Sequence, residues 1–137
     1  MKENFEGKHE KIEINVDKIK LKKLVDLADS DISLDQEGQH GKKYKKAEEL
    51  AKEIFDGYLP GMYENMHNFA LYDESLKPVW VDLGEKSSKN KVDVDYKDVK
   101  TATQALWKIE EKMSSIKLYP DFDEDKYEDV RKTVFGK

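Results

Sequence analysis

Residues 79–97 read VWVDLGEKSSKNKVDVDYK. Val79, Val81 and Leu83 alternate with Trp80 and Asp82, and Val92, Val94 and Tyr96 alternate with Asp93, Asp95 and Lys97. Period-2 alternation is the mark of a strand with one buried face. The polar stretch 84–91 between the two runs predicts an exposed connection, longer than an ordinary hairpin turn. The segments on either side change period. Residues 42–58, KKYKKAEELAKEIFDGY, place Tyr44, Ala47, Leu50, Ala51, Ile54, Phe55 and Tyr58 on one helical stripe, with Gly57 where a helix-ending glycine belongs. Ala102, Ala105, Leu106, Ile109, Met113 and Ile116 make a second stripe, and Thr101 with Gln104 reads as its capping box. A hairpin between helices predicts an α+β fold: about four helices packed with a small antiparallel sheet of two or three strands, in a single domain over 1–137.

Further out, Ile12, Ile14 and Val16 alternate with Glu13, Asn15 and Asp17, which predicts a short strand. Asp17 is placed to cap a lysine-rich helix carrying Leu21, Leu24, Val25 and Ala28. Residues 1–10 read as a flexible end, and 29–41, with Gly38 and Gly41, as an exposed loop. Met62, Tyr63, Met66 and Phe69 suggest a short helix after Pro60-Gly61. Pro120 ends the 101–116 helix region, and the acidic, aromatic stretch 121–129 leads into a terminal helix ending near Phe135. The mid-stripe residues Leu50, Ile54, Leu106 and Ile109 are the expected centre of the core.

Composition excludes whole classes of function. The chain has 137 residues, 40% of them charged, with a net charge of −5 and no cysteine. Disulfides, thiolate catalysis and thiolate metal sites are therefore absent, in keeping with a reducing compartment. Of its 25 basic side chains only Arg131 is an arginine. Guanidinium forks are what grip phosphates and guanine edges, so sequence-specific nucleic-acid recognition is not expected. The lysines at 42, 43, 45 and 46 and at 18–23 could supply only salt-sensitive, non-specific attraction. No apolar run approaches the ~18–20 residues that a membrane-spanning helix needs, so a cytoplasmic protein with no membrane partner is the expectation. The lysine bias points to an A/T-rich coding sequence, as in a low-GC bacterium or its phage.

Three patterns raise metal chemistry. Each histidine follows a glutamate by three residues (Glu6/His9, Glu37/His40, Glu64/His67), and only Glu64 and His67 fall on a helical pattern that would put both on one face. Asp121, Asp123 and Asp125 open like a calcium loop, but Lys126 replaces its glycine and Lys132 its closing glutamate, which disables it. Asp82 with Asp95-x-Lys97 on the next strand resembles the site pattern of the PD-(D/E)xK nucleases. That resemblance covers about 20 residues and implies a divalent metal held by Asp82 and Asp95, with Lys97 positioning water. Pro78 stands four positions before Asp82 instead of directly before it.

Two tryptophans miss their stripes. Trp80 shares a strand face with Asp82, and Trp107 lies roughly 140° from the centre of its helical stripe, at ~100° per residue. With Phe122 and Tyr127, embedded in the acidic stretch, they are the expected binding residues, since exposed aromatics anchor protein interfaces. The alternative is that a second layer covers them. The leading expectation is a small acidic binding protein without cofactor that acts by protein–protein contact, as an inhibitor, immunity protein or accessory factor does. A metal-dependent phosphodiesterase and a self-assembling structural domain are the alternatives.

Overall fold

The computed structural model describes residues 12–30, 39–82, 92–114, 118–119 and 122–136. The segments 1–10 and 84–91, expected to be flexible or looped, lie outside the described residues, as do Glu6/His9 and Glu37. The order is β1 (Ile12–Glu13), α1 (Lys18–Asp29), α2 (Gln39–Ile54), β2 (Leu59–Tyr63), β3 (Asn65–Tyr72), β4 (Pro78–Val81), β5 (Val92–Asp93), α3 (Tyr96–Ser114) and α4 (Glu124–Phe135). The α+β class holds: among the described residues four helices accompany an antiparallel sheet in the order β2-β3-β4, and β1 pairs with β5 in a separate parallel ladder.

The helix ends follow local chemistry. Asp17 caps α1 by accepting from the Lys20 N–H (3.1 Å), as its position predicts. The Asp17 N–H also donates to the Ile54 carbonyl (3.1 Å), tying the start of α1 to the end of α2. Asp29 belongs to α1 and α2 begins at Gln39, so the predicted 29–41 loop is shortened from both sides; 31–38 lies outside the described residues. The chain leaves α2 through two consecutive left-handed residues, Asp56 (φ 59°) and Gly57 (φ 102°). Asp123 accepts from the Asp125 and Lys126 N–H groups at the head of α4, so most of the acidic stretch is helical.

Three expectations change. Residues 62–69 form a hairpin, not a helix, with Glu64 (φ 62°) at its turn. Phe69, Ala70 and Leu71 are all buried on the central strand. A continuous apolar run of this kind reads the same as a strand covered on both faces or as a buried helix segment. Pro78–Val81 pairs with β3 (Ala70 opposite Val81, Leu71 opposite Trp80) and 92–93 pairs with β1; among the described residues the two do not pair with each other. Finally, α3 starts at Tyr96, not at Thr101. Asp95 heads it, accepting from the Lys97 N–H through its side chain (3.0 Å) and from the Asp98 N–H through its carbonyl (3.1 Å). Thr101 and Gln104 are buried within the helix.

The core is built around α3, which touches α1, α2, α4, β2 and β3. Every residue from Thr101 to Ile109 is buried, and a helix so enclosed needs no polar face. Ile54, Leu106 and Ile109 sit in the centre as expected, with Leu21, Leu24, Val25 and Ala28 of α1 and Ala47 and Ala51 of α2. Leu50 is only half-buried at the edge of that cluster.

Candidate functional site

The structure buries all four aromatic residues that the sequence nominates for binding. Trp80 and Trp107 are 7% and 5% exposed, and Phe122 and Tyr127 are buried with them. Trp107 stacks on Tyr119 (centroids 4.6 Å apart, planes within 8°) and meets Phe69 at 5.9 Å. Its position off the stripe reflects a helix covered all round, so the second-layer alternative is the correct one. Trp80 and Val81 are neighbours in the chain and are both buried, so β4 too is covered on both faces.

The nuclease-like trio depended on a hairpin that does not form. Asp82 follows β4 directly, half-buried, with its N–H donating to the Phe69 carbonyl (2.9 Å). Asp95 spends a carboxylate oxygen on the head of α3, and Lys97 stands exposed in that helix's first turn. Glu64 sits at a strand turn, so the Glu64/His67 pair has no helix to share, and the His67 side chain lies outside the described residues. Among the described residues no group of three or more histidines and carboxylates is disposed to hold a metal ion. Asp95→Ala should cost about 1 kcal/mol in urea denaturation, the value of a lost cap. A metal ligand would behave differently: Mn²⁺ would stabilise the wild type and not the variant.

The ordered charges of the C-terminal half are structural. Lys108 is 9% exposed; its ammonium lies 3.0 Å from Asp29, 3.4 Å from Glu124 and 5.1 Å over the Tyr127 ring. Arg131, the sole guanidinium, pairs with Glu128 and lies 3.4 Å from Asp29. The Lys112 ammonium donates to the Ala28 and Ser30 carbonyls (2.6 and 2.8 Å), closing the C-terminal end of α1 where a cation is favoured. These groups clamp α4 and α3 onto α1. Burial raises the Tyr127 phenol above its ordinary pKa, so it stays protonated through the physiological range.

The surface that stands out lies at the other end of α1. β1 and β5 run parallel and lead directly into α1 and α3, so the first turns of both helices flank one open cleft. The cleft encloses about 530 Å³ and is lined by Glu13, Ile14, Val16, Lys18, Asp93, Val94, Asp95 and Asp98, among others. Lys18 bonds the buried Asp98 carboxylate at 2.6 Å, bridging the two helices. Glu13 and Asp93 stand directly opposite each other on the ladder, both exposed. Like charges in that relation destabilise a sheet. Ile19 (73% exposed) and Tyr96 (42% exposed) project into water from the same two helix turns.

Sequence reasoning missed this surface for identifiable reasons. Ile19 is visible as the one apolar residue in the lysine-rich opening of α1 that falls off its stripe. The opposition of Glu13 and Asp93 could not be read, because it depends on a parallel pairing across 80 residues. Among the described residues no helix is long and apolar enough to cross a membrane. No family model matches this chain, and no significant similarity links it to a curated protein or to a solved structure.

Proposed function

We propose that this protein works by contact with another protein, through the cleft between the β1–α1 and β5–α3 junctions. The observation that carries this reading is the exposed pair Glu13 and Asp93, held opposite each other at a cost to the sheet. Local conflicts of this kind concentrate where a surface serves something other than stability. The cleft carries four carboxylates against Lys18, whose ammonium is already committed to Asp98. Ile19 and Tyr96 add exposed apolar area in the first turns of the two helices that flank it. The complementary partner is a basic segment with apolar side chains, drawn in by charge and held by desolvation. An inhibitor, immunity or accessory role in the cytoplasm of a bacterium or phage-infected cell fits that behaviour, with no cofactor involved.

The test uses a random-peptide phage library panned on the folded chain. Basic peptides should be recovered whose affinity falls with added salt. Asp93→Lys should weaken them about tenfold or more, ~1.4 kcal/mol. The same substitution turns a repulsive cross-strand pair into an attractive one, so folding should gain roughly 0.2–1 kcal/mol. Binding lost while stability is kept or raised supports the cleft; recovered peptides that all ignore Asp93→Lys sink it.

A further inference from the structure

α4 is held to the rest of the molecule differently from the helices it packs on. α1 has four buried residues and α3 twelve, whereas in α4 only Tyr127 is buried. Val134 and Phe135 rest half-buried at the edge of the core. The other attachments are charges. Glu124 lies 3.4 Å from the Lys108 ammonium, Arg131 lies 3.4 Å from Asp29, and the Lys22 ammonium lies 5.9 Å over the Phe135 ring. Two polar atoms of α4, the Tyr127 hydroxyl and Arg131 Nε, are buried with no hydrogen-bond partner among the described residues. Each gives up water when α4 docks and recovers it when α4 leaves, so both favour release.

The chain just before α4 is fixed in the opposite way. The Glu111 carboxylate accepts from the Leu118 and Tyr119 N–H groups (3.0 and 2.8 Å), and the Tyr119 hydroxyl donates to Glu110. The Tyr119 ring stacks on Trp107, and the Phe122 N–H donates to the Tyr119 carbonyl (3.0 Å). These bonds tie Tyr119 to the last turns of α3, and none of them involves α4. The helix can therefore depart without undoing them.

We propose that α4 is a charge-held strap. It leaves the face of α1 and α3 as one unit, far more often than the whole chain unfolds, and each opening uncovers the Tyr127 ring and the Lys108 ammonium. Segments with few buried apolar contacts open in this sub-global way. Glu124, Asp29 and Arg131 all keep contact with water, so salt reaches their pairs and weakens them. Opening then rises with ionic strength, and the medium regulates access to the covered face. This inference is independent of the cleft, which lies at the other end of α1.

Native-state hydrogen exchange on the full chain, read residue by residue by NMR, tests it. The amides from Glu128 to Phe135 should share one protection factor, about a hundredfold below those of Leu106 and Ile109 in α3. Raising KCl from about 0.05 to about 0.5 M should lower that factor about threefold or more and leave α3 unchanged. Tyr127→Phe removes the unbonded hydroxyl and should raise it, by up to about fivefold. The proposal is overturned if α4 is as protected as α3, or if its protection falls off gradually toward Gly136 as in a fraying end. It is equally overturned if salt leaves α4 unchanged or if Tyr127→Phe lowers its protection.

Discussion

Trp107→Ala is expected to lower the free energy of unfolding by about 3–5 kcal/mol, the range for removing a buried aromatic side chain. The indole is enclosed between Tyr119 and Phe69, on the helix that every other layer packs against. Truncation empties a space that neither α3 nor the sheet can close without moving the other. Tyr119 loses its stacking partner as well. Urea denaturation should show a lower midpoint with little change in slope. Acrylamide should quench neither tryptophan efficiently in the native wild type. A loss below about 1 kcal/mol, the scale of a surface site, would return Trp107 to the exterior.

Tyr127→Ala and Tyr127→Phe should differ by several kcal/mol. The Tyr127 ring is fully buried between Phe122 (5.8 Å) and the Lys108 ammonium, and it is the largest apolar contribution of α4 to the core. Alanine should cost about 3–5 kcal/mol and loosen α4 as a unit. Phenylalanine keeps the ring and removes only the hydroxyl, which is buried and has no hydrogen-bond partner among the described residues. Tyr127→Phe should therefore be neutral or stabilising by up to about 1 kcal/mol, since a desolvated, unbonded hydroxyl opposes folding. Equilibrium denaturation of both variants decides it. A phenylalanine variant that loses more than 1 kcal/mol would mean that the hydroxyl is bonded in the native protein.

How far the fold was legible depended on how each element is covered. Elements with one wet face were read well: the stripe of α1, the Asp17 cap, and Ala47, Ala51 and Ile54 of α2 all stand where their spacing puts them. Elements covered on several sides were misread, because burial erases the periodicity that the reading relies on. Phe69-Ala70-Leu71 lost its alternation by lying on the central strand, and Trp107 was assigned to a polar face that α3 does not have. The pairing of strands was the other loss. The two alternating runs at 79–83 and 92–96 looked like each other's partners because they are adjacent in sequence. Instead, one joined the preceding strand and the other crossed to the beginning of the chain. Functional features followed the same division. Ile19 was open to inspection, whereas Glu13 became notable only through what stands across from it.

The bridge between the two ends of the fold also governs how the chain is made. Lys18 is bonded to Asp98, Asp29 to Lys108, and the Ala28 carbonyl to Lys112, each across roughly 80 residues, and β1 forms its ladder with β5. During synthesis α1 therefore emerges long before anything that completes it. At ~5–20 residues per second, its apolar stripe waits roughly 4–16 s for α3. In that interval Leu21, Leu24 and Val25 are shielded from neighbouring nascent chains mainly by the lysines around them, Lys18, Lys20, Lys22 and Lys23. The same lysines have a second use in the finished molecule, where Lys18 pairs with Asp98, Lys20 with Glu53 and Lys22 with Asp26.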